Sequence, residues 1–297
     1  MKTFVILIGL FLVVGSCVKN NPDPAWIEVT DWQLEVNPNS PIVNQDNYPG
    51  ILTENISDAW VYINSELIGV FELPFKIPVL YEGDVEITIY PAVLNNGISA
   101  TKKIYPFLSP YVINTNLVKN EIHTFTPATH YYETVNFEII DFEGSFAILD
   151  GSGLASLNSS SDPSVLDPAI NGSSFGRILL DETDSTYTGS TVINAGVLNM
   201  DLPSGTEVYL EIDYHNTSSI TAGVISVEST GGVDNPHVRI NAQDPSEVRW
   251  KKIYLDLRDI VSGSPNAQYF EFSFQAILDD GLSSGEINID NIKAVYF

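Results

Sequence analysis

The sequence offers few residues whose types and spacing could do chemistry. Gly172-Ser173-Ser174-Phe175-Gly176 has the G-x-S-x-G spacing that can present a nucleophilic serine. That geometry needs a strand before the serine and a helix after it, whereas here a loop leads into a β pattern, so the stretch reads as a turn. Four histidines stand at 123, 130, 215 and 237, without the i, i+4 pairing and intervening glutamate of a helical zinc site. Asp279-Asp280 is an adjacent acidic pair. Neighbours on a strand point to opposite faces, so the two cannot flank a glycosidic bond as acid and base; they read as a turn ahead of Gly281. The single cysteine excludes an internal disulfide, a four-cysteine zinc site and a redox C-x-x-C pair. No constellation of acid, base and nucleophile emerges, and the expectation is a protein that is not an enzyme.

What Cys17 can do follows from its surroundings. Phe4 to Val14 is an apolar run of 11 residues, well short of the ~20 that span a bilayer as a helix. Lys2 precedes the run and the small residues Gly15 and Ser16 close it, the layout of a bacterial secretory signal peptide over residues 1–16. Val14-Gly15-Ser16-Cys17 resembles a lipobox, where the thiol is diacylated, the peptide is cut before the cysteine and the new amine is acylated. The resemblance implies a covalent lipid on Cys17 and a membrane partner reached through that anchor. At ~0.8 kcal/mol per buried CH₂, three acyl chains would hold the protein in a membrane without help from the fold. Residues 17–25 are polar and proline-containing and read as an extended tether. A composition rich in Tyr, Asn and Asp and poor in Arg resembles envelope proteins of Bacteroidota. It implies an outer-membrane lipoprotein on the cell surface or the periplasmic face.

The elements that must position any site are strands. Of 297 residues 44% are hydrophobic, and 13 Lys+Arg stand against 38 Asp+Glu, a formal charge of -25. Such a chain can fill a packed core, is long enough for two domains, and repels phosphate backbones, which excludes nucleic acid as a partner. After residue 25 no helical repeat is sustained, while period-two alternation recurs between Asn, Gly, Pro, Asp and Ser punctuation. Val208, Leu210, Ile212 and Tyr214 alternate with polar residues, and Phe270, Phe272 and Phe274 alternate with Glu271, Ser273 and Gln275. Further strands are expected over 59–64, 85–90, 135–140, 177–181, 221–228, 249–257 and 286–297, with helical turns only within 163–170 or 257–262. The fold class is all-β. The segments 151–164 and 181–190 read as long loops, of the kind that carry recognition on rigid sandwiches. Trp26, Trp32 and Trp60 call for a common apolar partner. Tyr131, Tyr132, Tyr187, Tyr214 and Trp250 could stack on sugar rings, although core packing is the better expectation for most of them and for Trp250 in particular.

Two stretches carry family resemblances. Ala59 to Gly69, Leu73-Pro74-Phe75-Lys76-Ile77 and Tyr81 to Ile89 together resemble the PEGA module, a small Ig-like β-sandwich of bacterial surface proteins. This implies a non-catalytic spacer or adhesive domain over 26–128. Asn136 to Gly144 and Ile287 to Phe297 resemble the first and last strands of galactose-binding-like jelly rolls found in carbohydrate-binding modules, which implies a jelly-roll domain over 129–297. In that family the first and last strands lie side by side. A structural calcium often links an acid of the opening segment to the Asp of the closing Ile-Asp-Asn-Ile motif. Glu143 and Asp290 match those positions, with Asp141 as a third ligand. Calcium takes hard oxygens, which carboxylates and carbonyls supply; solvated carboxylates fit the same residues. The function implied is a lipid-anchored, non-catalytic envelope protein whose jelly roll recognises a glycan or a partner protein. The alternative is a structural accessory subunit of an outer-membrane β-barrel complex for nutrient uptake or protein secretion.

Overall fold

The computed structural model describes residues 22–39, 48–144, 149–151, 153–191 and 199–297; Cys17 and the signal-peptide segment lie outside them. The protein is all-β. Its first half holds strands β1 (Ala25–Val29), β2 (Gln33–Leu34), β3 (Asp58–Ile63), β4 (Glu66–Glu72), β5 (Phe75–Val79), β6 (Gly83–Leu94), β7 (Lys102–Ile104), β8 (Tyr111–Leu117), β9 (Ile122–Phe125) and β10 (Ala128–Thr129). One sheet runs β5-β1-β9 and a second runs β4-β3-β6-β7, with β8 also on β6. Alternate residues of β1, β3 and β6, such as Ile27, Val61, Ile63, Ile87 and Ile89, meet in the core between them. The β3–β4 hairpin turns on Asn64-Ser65, both at positive φ (49° and 67°), the conformation that matches the twist of the flanking strands. Of the three tryptophans expected to share an apolar partner, Trp32 enters the core. Trp26 and Trp60 are half-buried, and the Lys76 ammonium lies 5.8 Å from the Trp26 ring centre.

The second half holds β11 (Asn136–Ile140), β12 (Leu149–Gly151), β13 (Leu157–Ser160), β14 (Phe175–Asp181), β15 (Thr186–Thr191), β16 (Val208–Asn216), β17 (Ile220–Glu228), β18 (Gly231–Ile240), β19 (Lys251–Asp256), β20 (Tyr269–Ile277) and β21 (Ser284–Tyr296). Short helices stand at Pro168–Asn171 and Arg258–Gly263. A six-stranded sheet runs β13-β14-β21-β16-β19, with β11 also on β21; a five-stranded sheet runs β12-β15-β20-β17-β18. The chain passes from one sheet to the other repeatedly, giving a jelly-roll sandwich. Its first and last strands are neighbours: β11 runs antiparallel to β21, with Phe137 opposite Val295 and Ile140 opposite Ile292. Phe270, Phe272 and Phe274 from one sheet and Ile287, Ile289 and Leu210 from the other fill the space between. At the bulge between Ala222 and Gly223 the strands approach so closely that a Cβ on Gly223 would lie 2.2 Å from the Asn235 carbonyl oxygen, so only glycine fits.

The structure corrects the two expected loops. Residues 181–190 contain the start of β15, and 151–164 contain β13. Thr186-Tyr187-Thr188 is a period-two pattern too short and too close to glycine to stand out, and it becomes a strand because β20 lies beside it. Among the described residues, no helix is long and apolar enough to cross a membrane.

Candidate functional site

The two faces of the second sandwich have opposite fates. The outer face of the six-stranded sheet is covered by the first half of the chain, and Tyr209, Tyr254 and Val295 belong to the same apolar cluster as Tyr105, Phe107 and Tyr131. Beneath this cover lies a charged network. Lys252 Nζ stands 2.9 Å from Glu211 Oε2 and 3.5 Å from Asp213 Oδ1, with side-chain exposures of 1%, 0% and 2% respectively. Tyr105 and Tyr131 donate their hydroxyls to Glu211 Oε1 at 2.5 and 2.9 Å. Thr53 Oγ1 donates to Asp213 Oδ2 at 2.6 Å, and Lys293 Nζ donates to the Ile51 carbonyl at 2.7 Å. Burial pushes the Glu211 carboxyl up, but Lys252, Lys293 and the Tyr105 hydroxyl outweigh it, and its pKa ends below the ordinary value. Lys293 goes the other way: burial and the like charge of Lys252 bring it down to about 8. Its charged groups and both tyrosines are buried, so its work is to fix the two halves against each other.

Among the described residues none covers the outer face of the five-stranded sheet in this way, and Thr188 and Arg239 on it are exposed. The ladder register sets Thr188 opposite Gln275, Gln275 opposite Thr221, and Thr221 opposite Arg239, one polar row across four strands. Three interstrand steps of about 4.8 Å make that row about 14 Å long. The row crosses a groove of about 560 Å³, lined also by Thr186, Ser219 and Asp279. Its members are held in place. Arg239, 62% exposed, donates to Asp279 Oδ1 at 2.6 Å, and Asp279 Oδ2 accepts from Ser219 N and Oγ at 2.7 and 2.9 Å. Asp234 accepts from the Gln275 side-chain amide and from Ser273 Oγ. Neutral hydroxyl and amide groups beside one arginine–aspartate pair can exchange hydrogen bonds with a ligand rich in hydroxyls.

Residues singled out in the sequence fall in several places. Asp279-Asp280 lies in a turn before Gly281, as read, but sequence reasoning missed that Asp279 anchors the arginine of the groove. Gly172 to Gly176 follows a helix and leads through a turn into β14, the reverse of a nucleophile elbow, and Ser174 Oγ donates to the Phe142 carbonyl. Tyr187 and Tyr131 are buried in the cores, and Tyr132 is exposed. Trp250 packs on Phe175 and His215 and donates its indole N–H to the Val165 carbonyl. Tyr214 is half-buried and lines a second cavity.

Glu143 bonds to the turn that follows helix Pro168–Asn171, Asp290 bonds to the last residue of that helix, and Asp141 bonds to Glu143. Glu143 accepts from Ser173 N, Ser174 N and Ser173 Oγ, and Asp141 Oδ1 accepts from Glu143 N. Asp290 is buried and accepts from Asn171 Nδ2 and Asn291 N. Burial lifts its carboxyl to about 8 against those hydrogen bonds, and the charges of Asp213 and Asp141 add to the rise. Among the described residues, no three His, Cys, Asp or Glu side chains converge as a ready metal cage. The donor set is nonetheless all hard oxygen, and Asp290 is a buried carboxylate short of positive charge, so the residues fit calcium in kind.

No protein-family model matches the chain, and no curated protein matches it. Its fold resembles solved carbohydrate-binding modules. A family 29 module complexed with mannohexaose is 14% identical, with a TM-score of 0.34, over 54% of this chain and 92% of that one. A second family 29 structure, complexed with cellulohexaose, is 13% identical with a TM-score of 0.33, over 55% and 93%. The CBM22-1-GH10 modules of Clostridium thermocellum N-terminal endo-1,4-β-D-xylanase 10B, complexed with xylohexaose, give 12% and 0.35, over 54% and 28%.

Proposed function

We propose that this protein is a non-catalytic carbohydrate-binding protein of the bacterial envelope, held to the outer membrane by lipid on Cys17. The observation that carries the binding role is the uncovered row Thr188, Gln275, Thr221 and Arg239 across its groove, set against an opposite sheet face that the first half of the chain seals. A sugar chain lying along the row would trade ring hydroxyls with threonine hydroxyls, the Gln275 amide and the Arg239 guanidinium. Each net hydrogen bond contributes about 1 kcal/mol, so a short oligosaccharide should bind weakly, in the range of about 10 μM to 1 mM. The first half serves as a rigid mount between the anchor and the groove.

Calcium belongs to the same proposal as a structural ion, with Glu143, Asp290 and Asp141 as its carboxylate ligands. What supports it is the hard-oxygen set and the uncompensated burial of Asp290. The binding role is tested by a glycan array probed with the full chain, followed by amide chemical-shift mapping of each hit. Shifts centred on Thr188, Thr221 and Gln275 are expected. An array without hits, together with co-purification of a large outer-membrane barrel, would replace this reading with a structural accessory role.

A further inference from the structure

The groove does not end at β18. Arg239 lines it and also lines a second cavity, of about 490 Å³, so the two open onto one residue. This second cavity lies between the halves of the chain. On one side are β19 and the segment 241–250; on the other are Asn55 and the turn that contains Asn96 and Gly97. Its walls are fixed. Asn96 N donates to the Tyr254 carbonyl at 2.9 Å, Asp256 N donates to Asn96 Oδ1 at 2.8 Å, and Asn55 Nδ2 donates to the Lys252 carbonyl at 2.8 Å. The buried Gln243 side chain donates to the Arg249 carbonyl at 2.9 Å and accepts from Arg249 N at 3.4 Å, which sets the backbone from which Arg249 extends.

Two cations line this cavity without a carboxylate partner among the described residues: Arg249 and Lys251. Among the described residues seven other lysines and arginines are ion-paired, Lys76 lies over the Trp26 ring, and Lys293 bonds to the Ile51 carbonyl. Two carboxylates share the lining. Asp244 accepts from Ser246 N and Oγ at 2.9 and 2.7 Å, and Glu247 is exposed. A net charge of -25 repels anions at long range, so an anionic ligand needs local, preorganised cations, and an arginine offers a planar carboxylate two parallel hydrogen bonds.

Resting on the carbohydrate reading above, we propose that groove and cavity form one track for an acidic polysaccharide. Its neutral hydroxyls lie along the Thr188 to Arg239 row, and a uronic-acid carboxylate meets Arg249 and Lys251. The first half of the chain thereby contributes one wall of the binding site through Asn55 and Asn96.

The test is calorimetric titration of the full chain in mild detergent with tetragalacturonate and tetramannuronate, each beside its fully methyl-esterified form. At least one acid should bind about 10-fold tighter than its ester. The double variant Arg249→Ala/Lys251→Ala should lose that preference, keep the affinity for the ester, and melt at the wild-type temperature, because neither side chain bonds to another of the described residues. Equal affinity for acid and ester in the wild type, or a preference that survives in the double variant, overturns the acidic track and leaves the groove's neutral-sugar binding standing. If no oligosaccharide binds, charged or neutral, the carbohydrate reading fails and this inference fails with it.

Discussion

Replacing Lys252 by methionine probes the seam between the two halves. The ammonium stands 2.9 Å from Glu211 and 3.5 Å from Asp213, and it also donates to Thr53 Oγ1 at 3.0 Å. In Lys252→Met, Glu211 keeps the Tyr105 and Tyr131 hydroxyls and Asp213 keeps Thr53 and Asn291, but both buried carboxylates lose the charge that balances them. Breaking a buried pair by removing one partner costs about 3–5 kcal/mol, because the other charge stays buried. Urea melts followed by tryptophan fluorescence should therefore show a loss of that order. Adding Glu211→Gln should return part of it, since the pair is then removed rather than broken. The pH dependence reverses as well. In the wild type the Glu211 pKa lies below its ordinary 4.5, so its contribution is present above 4.5 and is lost as pH falls through the folded value. In Lys252→Met the strongest opposing charge is gone, and burial, the largest influence on Glu211, outweighs Lys293 and the tyrosine hydroxyls and raises its pKa, so the variant should gain stability as the pH falls toward 4.5. A loss under about 1 kcal/mol, or strict additivity with Glu211→Gln, would refute the view of this seam as a coupled charge network.

Other outcomes follow from the same geometry. Lys293 is held near 8 against an ordinary 10.5, so between those values the unfolded chain binds more protons than the folded one; stability should rise from pH 8 to 10, and Lys293→Met should flatten the rise in melts across that range. Calcium at about 100-fold above Kd should add about 2.7 kcal/mol to unfolding, seen as a higher midpoint that a chelator reverses and Asp290→Asn removes; identical midpoints in calcium and chelator would leave these residues as hydrogen-bonded carboxylates. Cys17→Ala should yield a folded protein that no longer partitions into membranes, and retention in the membrane fraction would discard the lipid anchor.

Much of the fold was legible because sheets write their faces into the sequence with a period of two. The alternation of Phe270, Phe272 and Phe274 marked β20, and 208–214 marked β16, within a residue or two of their bounds. The same alternation placed Glu211 and Asp213 on the outer face of β16, yet it carries no sign of what covers that face. Their burial depends on Tyr105, Tyr131 and Thr53, which are remote in the chain. The groove was hidden for a related reason. Residues 188, 275, 221 and 239 become one row only through the register of four strands. One of those strands, β18, begins with Gly231-Gly232 and contains Pro236. It remains a strand because it is an edge, where one side of the backbone needs no partner. The aromatic residues were weighed as sugar platforms from their type alone, whereas the uncovered row is built of threonine, glutamine and arginine.

The most direct measurement of the central claim is a titration of the full chain with a neutral oligosaccharide taken from the array hits, comparing the wild type with Gln275→Ala and Thr221→Val. Loss of one or two hydrogen bonds of about 1 kcal/mol should weaken binding about 5- to 30-fold in each variant, with the melting temperature of Thr221→Val unchanged. Wild-type affinity in both variants would place the ligand elsewhere on the molecule and contradict the assignment of the uncovered sheet face as the carbohydrate site.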